Sequence, residues 1–157
     1  MSDATFADGE DRPLRLRARD AEDLGVIAAL TQDAIFPASE MLWKASERRF
    51  AILLNRFRWE DAALAESRGR AFERVQSVLS IEDVVSVRSA GVPRGDDDTV
   101  LSLLGMEFRP GEDGQGVIVL TFAGDGEIEV GVEALEVMLR DVTRPYRAVS
   151  GKRPEHD

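Results

Sequence analysis

Apolar and polar residues alternate along much of this chain. Val75, Leu79 and Ile81 would share one face of an extended segment, whereas Gln76 and Ser80 would share the other. A repeat of two residues is typical of a β-strand with one buried face. Similar patterns and the turn residues between them predict seven strands, at residues 38–43, 50–57, 75–81, 84–89, 100–108, 117–122 and 128–132. Residues 14–17 could form a further short edge strand.

Two segments have helical spacing instead. Asp20 is a good N-cap, and the residues that follow it recur at intervals of three and four: Leu24, Ile27, Ala28 and Thr31. This pattern predicts a helix over residues 20–33. A second set has the spacing i, i+3, i+4 and i+7 before Pro145, and it predicts a C-terminal helix: Leu135, Met138, Leu139 and Val142. Residues 60–71 are typical of a solvated loop or a short helix.

These elements predict an α+β fold with a mostly antiparallel sheet of about seven strands, because no strand–helix–strand alternation is present. An N-terminal and a C-terminal helix would flank the sheet. Two layouts fit this order: a pleckstrin-homology-like pair of crossed sheets capped by the last helix, or a plain sheet with both helices on one face. We expect one domain at residues 14–145, with flexible tails at 1–13 and 146–157.

The hairpin formed by residues 38–43 and 50–57 has apolar residues on both faces. Phe50, Ile52 and Leu54 lie on one face, and Leu53, Phe57 and Trp59 lie on the other. Either the chain's own helices or a partner must cover the second face, and a homodimer would bury the same patch twice. Aromatic and arginine residues are enriched at interface hot spots. The candidate interaction surface therefore consists of Trp43, Arg49, Arg56, Phe57, Arg58 and Trp59.

Composition restricts the chemistry of a chain of 157 residues. There is no cysteine, which excludes disulfides, thiolate metal sites and a cysteine nucleophile, and the one histidine, His156, has no partner at ligand spacing. We therefore assign no catalytic, cofactor-binding or metal-binding residue and predict no cofactor. The net charge of −10 opposes binding to nucleic acid or to anionic membranes. Residues 1–11 do not resemble a secretory signal, so we expect a soluble cytoplasmic protein.

Two carboxylate groups invite a chemical interpretation. Glu127 and Glu129 share a strand face, but their alternation with Ile128 and Val130 is typical of the solvent side of an amphipathic strand. The run of aspartates at 96–98 lacks the ligand spacing of a calcium-binding loop and is typical of a solvated turn.

Several sequence runs resemble a known family. These runs are residues 48–60 (RRFAILLNRFRWE), 83–89 (DVVSVRS), 100–104 (VLSLL), 120–122 (LTF) with Gly124, and 153–157 (RPEHD). They are similar to the proteobacterial domain of unknown function 2948 family, over about residues 14–157. The resemblance implies a bacterial cytoplasmic protein and no activity.

Three functional hypotheses follow. The first is a non-enzymatic module that acts through protein–protein contact, with a homodimer as one form of that contact. The second is an enzyme that uses carboxylates or arginines on a small anionic substrate. The third is RNA or DNA binding through the arginine-rich hairpin, which the net charge and the lack of a basic stripe oppose.

Overall fold

The structure is a computed structural model that describes residues 12–92, 98–148 and 153–154. Two α-helices lie in this part of the chain, α1 (Ala21–Thr31) and α2 (Trp59–Ser67). The strands are β1 (Arg15–Ala18), β2 (Ile35–Pro37), β3 (Met41–Lys44), β4 (Arg49–Phe57), β5 (Glu73–Ile81), β6 (Val84–Ala90), β7 (Val100–Pro110), β8 (Gly116–Phe122), β9 (Glu127–Val132), β10 (Val137–Asp141) and β11 (Tyr146–Arg147). The short segments Ala38–Glu40 and Ala45–Glu47 are single 3₁₀ turns.

All strands belong to one sheet with the order β1-β10-β5-β4-β2-β7-β8-β9-β6, while β3 pairs with β4 and β11 pairs with β5. Every pairing is antiparallel. The predicted α+β class with a mostly antiparallel sheet is confirmed. The sheet has 11 strands rather than about seven, in part because β2 and β11 are too short to show alternation in the sequence.

A bulge in β7 divides the sheet into two halves. The register with β8 shifts between Leu103 and Gly105, and bulges of this kind increase the local bend and twist. Strand β6 lies at the end of the sheet order, yet the Val84 amide donates to the Arg48 carbonyl oxygen at 2.9 Å, next to β4. The sheet therefore folds back on itself around one core. We call the β1-β10-β5-β4-β2 part, with β3 and β11, the larger half.

Helix α1 closes the core on the inner side of the sheet. The Asp20 side chain accepts from the Asp23 amide at 2.8 Å, as expected of an N-cap. Leu24 and Ile27 are buried with the inward residues of the sheet, such as Phe50 and Leu79. The helix predicted at residues 20–33 is therefore confirmed.

The predicted C-terminal helix is wrong, because residues 137–141 form strand β10. Val137 and Leu139 point into the core, and Met138 and Arg140 point outwards. Strand β10 pairs with β1 on one edge and with β5 on the other, and these pairings override the helical spacing. A pleckstrin-homology-like layout needs a helix at this end, and the residues described after Val132 contain none.

Residues 59–67 form α2, so the short-helix alternative for residues 60–71 is correct. Ala62 and Ala65 are buried, and Asp61 is buried with them. No helix in the described ranges is long and apolar enough to cross a membrane.

Much of the two predicted tails, at residues 1–13 and 146–157, lies outside the described residues. Within the described part, Tyr146–Arg147 forms β11 against β5, and Ala148 is buried. The sheet therefore includes residues that the sequence pattern assigned to the C-terminal tail.

We predict that Leu139→Ala lowers the free energy of unfolding by roughly 2–5 kcal/mol, because it leaves a cavity in the core. Leu139 has an exposed fraction of 0%, whereas the control residue Leu104 has 38%. Leu104→Ala should change stability by less than about 1 kcal/mol in the same urea titration. Equal losses in the two variants would contradict the placement of β10 in the core.

Candidate functional site

The largest fully buried side chain is an arginine, Arg56, which follows Phe50, Ile52 and Leu54 along the core-facing side of β4. Its guanidinium forms a fork with each of two carboxylates. Nη1 and Nη2 donate to Glu60 at 2.8 Å each, and Nε and Nη2 donate to Asp141 at 3.0–3.1 Å. Ser77 completes the group by donating to Asp141 Oδ1 at 2.7 Å. We call these four residues the Arg56 cluster.

The Arg56 cluster joins elements that are distant in sequence. Arg56 belongs to β4, Ser77 to β5, Asp141 to β10 and Glu60 to the first turn of α2. Asp141 Oδ2 also accepts from the Leu14 amide at 2.9 Å, next to the start of β1. The cluster therefore connects four neighbouring strands and the helix that covers this end of the sheet.

A second ion-paired group continues the first along α2. Arg58 is nearly buried and contacts Glu73 and Asp61, and Asp61 also accepts from both terminal nitrogens of Arg70 at 2.9 Å. This group fixes α2 against the start of β5.

The electrostatics of the Arg56 cluster favour its charged form. Burial opposes the charge of Arg56, but hydrogen bonding and attraction by Glu60 and Asp141 outweigh it and raise the guanidinium pKa. Burial likewise raises the pKa of Glu60, but the hydrogen bonds from Arg56, the attraction of Arg56 and Arg58, and a backbone hydrogen bond together bring this pKa below its usual value. Every buried side-chain nitrogen and oxygen in the described residues has a partner. The cluster therefore has no vacant donor for a substrate, and its arrangement is that of a structural ion-pair network.

The opposite side of the larger half carries the other group of notable residues. The register places Arg15, Arg140, Val78 and Leu53 in one row across β1, β10, β5 and β4. The next row runs through Arg17, Met138, Ser80, Ala51 and Leu42. We call this outward side of the larger half, together with Val100 of β7, which is opposite Pro37 of β2, the open face. Leu42 is 52% exposed, Val100 65% and Ile35 37%.

Two shallow grooves mark the open face. One, of about 330 Å³, is mainly apolar and includes Ile35, Pro37, Leu53, Asn55 and Val100. The other, of about 320 Å³, combines apolar side chains with cationic ones: Leu42, Val78 and Met138 with Lys44, Arg49 and Arg140. Lys44 contacts Glu47 and Arg49 contacts Glu82, so these two cations are partly neutralised.

The comparisons with known proteins place the chain in a family. The family described as "Protein of unknown function (DUF2948)" matches residues 14–156. The chain belongs to the DUF2948 family. The resemblance seen in the sequence is therefore confirmed. Searches of curated proteins and of solved structures found no significant match.

The predicted interaction residues of this DUF2948 chain do not lie together on one surface. Arg56, Phe57 and Arg58 are buried inside the chain, in agreement with the alternative that the hairpin is covered by the protein's own elements. Trp43 is half-buried and packs against the core. Arg49 is exposed and lines the second groove of the open face.

Trp59 begins α2 and has its own set of contacts. Its indole Nε1 donates to the Gln32 carbonyl oxygen at 2.9 Å, and its ring meets Phe57 edge-on at 4.7 Å between centroids. The guanidinium of Arg153 lies over the ring at 5.7 Å. These contacts leave Trp59 half-buried, and it lines neither groove of the open face.

The other candidate groups fall on solvent-facing or undescribed residues. Glu129 lies on the outward side of β9 and contacts Arg88, while Ile128 and Val130 are buried, so the predicted alternation is confirmed. Asp96, Asp97 and His156 lie outside the described residues. The described residues contain no group of three or more metal-ligating side chains of the His, Cys, Asp and Glu types.

Sequence reasoning missed the cationic part of the open face. The alternation of Leu14 and Leu16 with Arg15 and Arg17 does indicate that the two arginines point outwards. Arg140 escaped notice because the helical interpretation of residues 135–142 concealed its strand register with Arg15.

We predict that Asp141→Asn destabilises the fold by about 3–5 kcal/mol, because it removes one carboxylate from a buried arginine. The matched control is Glu107→Gln. Glu107 forms an ion pair with Arg109, and the exposed fractions of the two side chains are 63% and 60%, respectively. An exposed pair contributes at most about 1 kcal/mol. Unfolding in guanidinium chloride at pH 7 measures the free energy of unfolding of both variants. Similar losses of stability in the two would contradict a structural role for the Arg56 cluster.

Proposed function

We propose that this protein is a non-enzymatic protein-interaction module that binds a partner polypeptide through its open face. The observation that carries the proposal is the exposure of Leu42, Ile35 and Val100 on the outward side of a sheet whose other side forms the core. A sheet face that meets only water usually carries polar residues at these positions. Ile35 and Val100 line one groove and Leu42 lines the other, and exposed apolar residues grouped in this way are typical of a docking surface.

The charge pattern supports a polypeptide partner. The open face combines aliphatic side chains with arginines, and this combination is frequent in protein interfaces. An enzyme acting on a small anionic substrate has less support, because Arg56 and Arg58, with their carboxylates, are already paired with one another. The grooves are shallow, whereas substrate sites usually enclose most of the ligand.

A homodimer is a narrower form of the same proposal. The residues predicted for it that remain exposed or half-buried are Trp43, Arg49 and Trp59, and they lie on different parts of the molecule. A two-fold contact centred on the row of Arg15 and Arg140 would bring these two arginines of one copy close to the same residues of the other. A different partner therefore fits this face better than a second copy. A cytoplasmic location in a bacterium remains a prediction from the sequence.

Site-specific photocrosslinking in the cells that produce the protein tests the proposal. We expect p-benzoylphenylalanine at position 42 to form a discrete adduct with a polypeptide that mass spectrometry identifies. The same group at position 121, which is exposed on the smaller half of the sheet, should form none. Adding Val100→Asp should remove the adduct at position 42, because a charge would enter the apolar groove.

Two outcomes would change this account. An adduct between two copies of this chain would make the homodimer the functional form. Equal labelling from positions 42 and 121, or none from either, would contradict the open face as a docking surface.

A further inference from the structure

Arg15 and Arg140 are directly opposite each other on β1 and β10. Both are exposed, and neither side chain has a hydrogen bond or ion pair with any residue in the described ranges. Like charges at directly opposed positions of a sheet are destabilising. The neighbouring Arg17 and Arg19, in contrast, both form an ion pair with Glu136.

An anion between the two guanidinium groups would relieve their repulsion. A carboxylate suits this position, because the planar fork of arginine binds carboxylates through two parallel hydrogen bonds. Side chains of opposed residues on adjacent strands are about 5 Å apart at their Cβ atoms, so both arginines can reach one carboxylate.

Apolar side chains next to Arg15 and Arg140 indicate that the ligand carries apolar groups as well as an anionic one. Val78 and Leu53 continue the same row, and Leu42 and Met138 lie in the neighbouring row. Adjacent strands are about 4.8 Å apart, so an extended chain that runs along this row, perpendicular to the strands, would meet the cationic side chains first and the apolar ones next. A ligand matched to this row carries carboxylates and aliphatic groups together.

Building on the proposed function, we propose that the partner presents an extended acidic segment with aliphatic residues, and that its carboxylates bind between Arg15 and Arg140. The net charge of −10 supports a peptide over a membrane or a nucleic acid, because those polyanions would be repelled over a much larger area. Arg15 and Arg140 then select the charge of the partner, while Leu42 and its neighbours supply the apolar contact.

A displayed library of random 12-residue peptides tests this assignment. It is panned on four proteins: the wild type, Arg15→Gln/Arg140→Gln, Leu42→Asp, and the control Arg88→Gln, whose arginine pairs with Glu129 on the smaller half. We expect the wild type and the control to enrich peptides rich in Asp, Glu, Leu and Val. Titration of one enriched peptide should show binding about tenfold or more weaker to the double arginine variant. That binding should also weaken with added salt.

The outcomes separate the two proposals. Neutral or basic peptides that bind the wild type and not Leu42→Asp would overturn the acidic partner and leave the docking face intact. Peptides that bind all four proteins equally, or no enrichment on any of them, would contradict the docking face itself. Vesicles of phosphatidylglycerol and a poly(U) RNA serve as further probes. Binding of either, lost in the double arginine variant and without peptide enrichment, would overturn the peptide in favour of a polyanion.

Discussion

The buried guanidinium of Arg56 is the interaction on which the rest of this fold depends. Its exposed fraction is 0%, and a charge so placed is tolerated only when its hydrogen bonds are completed inside the protein. Asp141 and Glu60 complete them, and this requirement draws β10 and α2 to the same end of the sheet. Since Asp141 also binds the Leu14 amide, the edge strand β1 is fixed by the same group.

This requirement divides the arginines of the protein into two groups. Arg56 and Arg58 are used by the fold, because their carboxylate partners lie in the same buried region. Arg15 and Arg140 remain on the open face beside apolar grooves, and their positions follow from the pairing of β1 with β10. Arg56 and Arg58, which the sequence pattern placed in the interaction surface, therefore stabilise the fold, whereas Arg15 and Arg140 are exposed to solvent.

The parts of the fold and of the site that the sequence could predict are those whose sequence signals lie within a few residues of one another. The N-cap at Asp20 acts within a few residues, and it is visible in the sequence. Strand β10 was misassigned because its apolar residues fit a helical period as well, and only pairing with β1 and β5 decides between the two. Arg56 has one carboxylate partner, Asp141, that lies 85 residues away, so no local pattern indicates that contact. Its position after Phe50, Ile52 and Leu54 was the one signal that it points inwards.

The exchange of arginine Nε protons with water, measured by NMR on ¹⁵N-labelled protein, tests the division of the arginines most directly. Arg56 Nε donates to Ser77 and Asp141, whereas Arg15 and Arg140 are solvent-facing. We expect slow exchange for Arg56 and rapid exchange, close to that of an unfolded chain, for Arg15 and Arg140. Exchange at Arg56 as rapid as at Arg15, or protection of Arg15 and Arg140 in the isolated protein, would contradict this division.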